Sequence, residues 1–241
     1  MLKAVTGLDR YTIRARLVPA LVVALPIPLA TIAWFPDGAY IWGIVWGLVT
    51  WAGGAAVLAQ VARDGGRRKE PALFARWGGK PTVRRLRHRD TDNAPVLARR
   101  HAKLKTVMKV KLPTAAQEAE DPEAADAAYE ACGVFLRDRT RDHAKFPLIF
   151  EENVNYGLRR NLWGMKPVGV VVTVVSMATI AVLAVYDPST RSGSRAGVVM
   201  LAGLIDVLLL LGWVFIFTPD WVRGPAEAYS ERLLEACERL S

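Results

Sequence analysis

Apolar positions along this chain gather into long runs rather than scattering. Four windows, 17–35, 39–62, 168–186 and 196–217, carry almost no charge. As helices rising 1.5 Å per residue they extend roughly 29–36 Å, enough to cross a hydrocarbon core of about 30 Å. The pattern therefore predicts four transmembrane helices in two tight pairs. The first window is not read as a signal peptide, because its apolar run is longer than a usual h-region and no small-x-small cleavage site follows. Instead "FPDGA" (35–39) turns straight into the second window.

Between the pairs the pattern changes to amphipathic. Pro95 fits a first helical turn, after which Leu97, His101, Leu104 and Met108 share one face. "TAAQ" (114–117) has the form of a capping box, and Asp121-Pro122 opens a further helix striped by Tyr129, Cys132, Phe135 and Leu136. The tail from Pro225 repeats the pattern through Tyr229, Leu233, Cys237 and Leu240. No strand signal or internal repeat emerges. The fold class is thus an all-α membrane protein, four transmembrane helices as two hairpins with a helical domain inserted between helices 2 and 3. Its segments are 1–16, hairpin 17–62, basic helical domain 63–166, hairpin 167–217 and amphipathic tail 218–241.

Charge orients this layout. Of the 32 Lys and Arg, 4 precede the first window, none lies in the first turn, 23 lie in the insert, 2 in the second turn and 3 after the last window. Positive residues stay on the cytoplasmic side, so both termini and the insert are expected there. Residues 63–111 hold 16 Lys/Arg against 4 Asp/Glu, and 112–130 hold none against 6. Opposed blocks of this kind pair within a domain or between subunits. Two cysteines, Cys132 and Cys237, give neither a disulfide framework nor a zinc pattern.

Candidate chemistry sits in three places. "ARWGGKPTVRRLRHRD" (75–90) is not a phosphate-binding Walker loop, since Phe74 stands where the first glycine belongs and Pro81 separates Lys80 from Thr82. Glycine amides beside arginines still suit phosphate. Arg76, Lys80, Arg84, Arg85, Arg87, Arg89, Arg99, Arg100 and Lys103 form a basic surface that continues past the reach of topology signals, with Trp77 placed to stack on a base. This predicts an anionic nucleotide or single-stranded oligonucleotide ligand; anionic lipid is the simpler alternative. Asp206, near the middle of the fourth window with no cation inside any window, is either protonated and hydrogen-bonded or lines a water-filled path, where a ring of copies would favour cations. Pairing with Asp187 as an intramembrane protease is excluded by their separation of roughly 15 Å in depth at 1.5 Å per residue. Asn155, Tyr156, Arg159 and Arg160 lead into the third window and read as a coupling element. Gly43 and Gly47 have the spacing of a close helix crossing, and Pro26 and Pro28 should bend the first span. No ligand set for a metal, cofactor or catalytic constellation is found, so an enzyme is not expected.

"ARWGGKPTVRRLRHRD", "TRDHAKFPLIFEENVNYGLRRNLWGMKP" (140–167) and the four windows together resemble the membrane effectors of nucleotidyltransferase-linked anti-phage systems of the Hailong type. The resemblance implies an oligomeric ion channel, with a tetramer favoured, controlled by an oligonucleotide from a partner nucleotidyltransferase. It supplies no site residues. A non-channel scaffold that recruits nucleic acid, lipid or protein to the bilayer is the other class.

Overall fold

The computed structural model describes residues 10–35, 43 and 54–240, and every regular element among them is a helix. Three are long and apolar enough to cross a membrane: α1 (Thr12–Trp34), α7 (Pro147–Tyr186) and α8 (Gly193–Leu211, continued by a wider π-helical turn, Gly212–Ile216). The second apolar window lies mostly outside the described residues, as does Gly47. Its end enters α2 (Gly54–Arg76). Shorter helices follow: α3 (Pro81–Arg84), α4 (Ala94–Met108), α5 (Ala115–Glu120), α6 (Pro122–Arg139) and, after α8, α9 (Pro219–Ala236).

The sequence signals account for most of these ends. Thr114 and Gln117 close the capping box reciprocally at α5. Asp121 caps α6 by accepting from Ala124 N, and Asn93 caps α4 by accepting from Val96 N. Pro26 interrupts α1 at Leu25, where a proline cannot donate to the preceding turn. Asp187, Pro188 and Gly193 make the turn between α7 and α8, pinned by an Arg195–Asp187 ion pair of 2.9 Å.

The chain forms two compact units. The span unit takes Met1–Glu70 and Gly157–Val222. Its cores are Ala20, Val23, Ala62, Leu162, Met165 and Trp213, and separately Ala33, Ile180, Leu183, Val199 and Ala202. Its outward faces are apolar as well: Val171, Val175, Met200, Leu204 and Leu208 are all exposed. Exposed apolar faces on helices long enough to cross a membrane suit a bundle that meets lipid.

The charged unit takes Pro71–Tyr156 and Arg223–Ser241. Tyr129, Cys132 and Leu136 of α6 meet Leu104 of α4 and Leu233, Leu234 and Cys237 of the tail in one core. The amphipathic tail is therefore part of this unit, because its apolar stripe has a partner here. Both cysteines are buried and unbridged.

Candidate functional site

The "RWGGKPT" glycines end a helix. Gly78 adopts φ 77, the left-handed conformation that a C-terminal cap requires. Gly78 N donates to Ala75 O and Gly79 N to Phe74 O, so both amides serve α2's last carbonyls. That corrects the reading of free amides for phosphate: the Schellman cap consumes them. Pro81 then starts α3, whose short length places Arg84, Arg85, Arg87 and Arg89 on successive sides of a tight turn.

Each of these arginines meets a carboxylate. Arg87, almost buried, forks onto Asp126 with Nε at 2.7 Å and Nη2 at 2.5 Å, while its Nη1 reaches Asp90 at 2.9 Å and Gly78 O at 2.7 Å. The hydrogen bonds to Asp126, against a burial cost, hold Arg87 firmly charged. Arg89 bridges Glu118 (Nη1, 3.0 Å) and Asp126 (Nη2, 2.9 Å). Arg84 meets Glu227 at 3.2 Å, Arg85 holds both Glu227 (3.2 Å) and Glu231, and Arg100 from α4 reaches Glu231 at 2.5 Å. Lys80 pairs with Glu130, and Arg99 meets Glu238 at 2.8 Å at the surface. Arg76 lies in α2's last turn, and Lys103 is half-buried on α4. Trp77 is 4% exposed, packed edge-on against Phe74, so its faces are not open to a base.

The pairing of the basic run with the acidic block was expected from the sequence, but the use of these particular arginines in it, and the tail glutamates, were missed. Two signals existed: the acidic block 112–130, and Glu227 and Glu231 at i, i+4 on one face of the tail helix. An open hollow of about 480 Å³ beside Gly78 and Gly79 is edged by Lys80 and Arg87 but also by Glu123, Asp126 and Glu130, so it is not an anion pocket.

In the span unit the predicted coupling and pore residues are also engaged. Arg159 Nη1 donates to Trp221 O at 2.9 Å and stacks over that indole. Arg160 meets Glu70 at 3.1 Å and Asn161 Oδ1 at 3.2 Å. Asn161, fully buried and unflagged by the sequence, donates Nδ2 to Ala15 O at 2.6 Å. Pro19 has no N–H to offer that carbonyl. Lys166 donates to carbonyls at the end of the π-helical turn, Val214 O and Phe217 O. Tyr156 and Asn155 sit on α7 in the charged unit, Tyr156 buried and Asn155 half-buried.

Asp206 is fully buried within the bundle. Ser176 Oγ of α7 lies 2.5 Å from Asp206 Oδ2 and 3.1 Å from Pro26 O of α1. Among the described residues Asp206 Oδ1 has no hydrogen-bond partner. Among the described residues no group of three or more His, Cys, Asp or Glu is arranged to hold a metal.

Comparison with known proteins finds no matching family model, no matching curated protein and no matching solved structure.

Proposed function

We propose that the protein is an ion channel of the bacterial inner membrane, assembled from several copies with a tetramer favoured. Its charged unit, on the cytoplasmic side with both termini, takes an anionic nucleotide or oligonucleotide that controls conduction. The observation that carries the ligand half is the convergence of Arg84, Arg85 and Arg100 on Glu227 and Glu231. A guanidinium fork that fits a carboxylate also fits a phosphate. A run of phosphates would displace the two glutamates, exchanging one set of anions for another. The resting protein holds its own pseudo-ligand, and binding releases the face of α9 that bears it.

The apolar faces of α7 and α8 support the membrane half, offering surface to lipid and to neighbouring copies. The proposed channel has four spans, the second being the apolar window 39–62. Coupling runs along α7, which carries Asn155, Tyr156, Arg159 and Arg160. The resemblance to Hailong-type effectors adds the setting: an anti-phage effector informed by a partner nucleotidyltransferase. Reconstitution into planar bilayers tests the proposal. Discrete current steps that respond to an added oligonucleotide, and lose that response in an Arg84→Gln/Arg85→Gln variant, support it. A silent bilayer with and without oligonucleotide overturns it.

A second reading has its own observation. The charged unit holds 19 Lys/Arg against 16 Asp/Glu, a net of only +3. So balanced a surface favours a scaffold that recruits protein to the bilayer, and oligonucleotide-independent silence in the same recordings is its signature.

A further inference from the structure

Asp206 presents a proton-counting problem. Ser176 has one hydroxyl proton and two acceptors in reach, Asp206 Oδ2 at 2.5 Å and Pro26 O at 3.1 Å. Three assignments exist. As a carboxylate, Asp206 would hold a full charge inside a lipid-facing bundle with one donor and no cation. That is among the costliest arrangements a membrane helix can contain. As an acid with its proton on Oδ1, it would point that proton at nothing, since Oδ1 has no partner. With the proton on Oδ2, every hydrogen finds an acceptor: Asp206 donates to Ser176 Oγ, and Ser176 donates to Pro26 O. Only the acceptor capacity of Oδ1 is left unsatisfied.

We infer that Asp206, Ser176 and the Pro26 carbonyl form a neutral hydrogen-bond relay, a site for one proton that ties α1, α7 and α8 together inside the membrane. The three groups come from three different spans of one unit, and all three residues, Pro26, Ser176 and Asp206, are buried. Beside the relay a further hydrogen bond crosses the α1–α7 seam, and another lies within α7. Trp34 Nε1 donates to Thr179 O at 3.2 Å, and Thr179 Oγ1 donates to Ser176 O at 2.8 Å. Asp206 is thus occupied as a donor inside a single chain. A cation path past its carboxylate requires the relay to break and the proton to leave. The inference does not depend on the identity of any ligand or on conduction.

Infrared spectroscopy of the full-length protein at neutral pH reads the proton directly. The wild type should show the C=O stretch of a protonated carboxylic acid, and Asp206→Asn should abolish it. Ser176→Ala removes the acceptor, so the same band should persist but shift to higher frequency. Absence of any Asp206-dependent protonated-carboxyl band overturns the inference, as does a band indifferent to Ser176→Ala. Thermal unfolding adds a readout that a charged Asp206 would reverse. Asn retains a donor for Ser176, so Asp206→Asn should stay close to the wild-type midpoint while Asp206→Ala falls well below it. Equal losses in the two variants overturn the relay. If Asp206→Asn fails to fold, the Ser176→Ala band shift decides alone.

Discussion

Glu118 carries more of the charged unit than its place in the sequence suggests. It is 2% exposed and accepts from His88 N (2.8 Å), Arg89 N (3.1 Å), Arg89 Nη1 (3.0 Å) and the Tyr129 hydroxyl (2.8 Å). Burial pushes its carboxyl up, but the donors outweigh burial and hold it below the ordinary carboxylate range. The same contact, with burial as the larger cause, pushes the Tyr129 phenol up. Glu118→Gln turns an acceptor into a donor facing donors, so a loss of about 3 kcal/mol is expected from chemical unfolding. The pH dependence follows in sign. The unfolded chain binds the Glu118 proton more tightly, so stability is present above the ordinary carboxylate value and lost as pH falls through the acid range. His101 adds an upper stage. Burial lowers its pKa, against the opposing bond from its Nε2 to Leu86 O at 2.8 Å, so the folded state keeps it neutral. Stability should therefore begin to fall below about pH 6.5, where the unfolded imidazole charges. Helical circular dichroism followed across pH should show both stages, and His101→Gln should remove the upper one. The capping box at Thr114 was legible in the sequence. Glu118 was not, because an acid one residue past a capping box reads as a solvated first-turn charge.

At the scale of elements, periodicity revealed the helices but not every close crossing. Gly43 and Gly47 have the familiar pattern, yet the tight contact among the described residues is between α2 and α7. A Cβ on Gly164 would lie 2.5 Å from Gly66 Cα, and one on Gly66 would lie 2.1 Å from Asn161 Oδ1. Two adjacent glycines in "RDGGRR" carry a helix-propensity cost, and the structure runs α2 straight through them. Only a partner backbone explains glycines there, and a partner backbone is not visible in local sequence. Gly169 is similar, since its Cβ would lie 2.4 Å from the Trp213 ring. Gly164→Ala and Gly169→Ala should each lower stability by about 1–3 kcal/mol through overpacking. Gly203→Ala, whose Cβ would sit 4.0 Å from Ile180, should be neutral or mildly stabilising by improved helix propensity. Thermal unfolding of the three variants in detergent compares them directly, and equal effects would mean that crowding does not govern these positions. Gly79→Ala tests the turn: its Cβ would lie 2.7 Å from Arg87 Nη2, at φ 132. It should cost more than Gly78→Ala, which meets only the left-handed backbone penalty of about 1 kcal/mol.

For the whole molecule, the distribution of charge decides what a polyanion would find. The chain's net charge is +9, of which the span unit holds 13 Lys/Arg against 7 Asp/Glu, leaving the charged unit the smaller share. The dense cations of 63–111 were legible, and so was the acidic block after them. Their mutual neutralisation depends on α6 and α9 folding back onto α3, which only the tertiary core dictates. A ligand must therefore compete with Glu227 and Glu231 rather than settle on open charge, and that competition has a measurable form. Contact with Arg84, Arg85 and Arg100 should give a single-stranded oligonucleotide a slope of about −2 in log affinity against log salt, at roughly 0.7 per neutralised phosphate. Arg84→Gln/Arg85→Gln should weaken binding and reduce that slope by about 1.4. Glu227→Gln/Glu231→Gln should do the opposite, tightening binding at every salt concentration because the competing carboxylates are gone. Fluorescence anisotropy of a labelled oligonucleotide across a salt series measures all three. If the glutamate variant binds no tighter than the wild type, the carboxylates are not standing in for phosphates, and the arginines serve the fold alone.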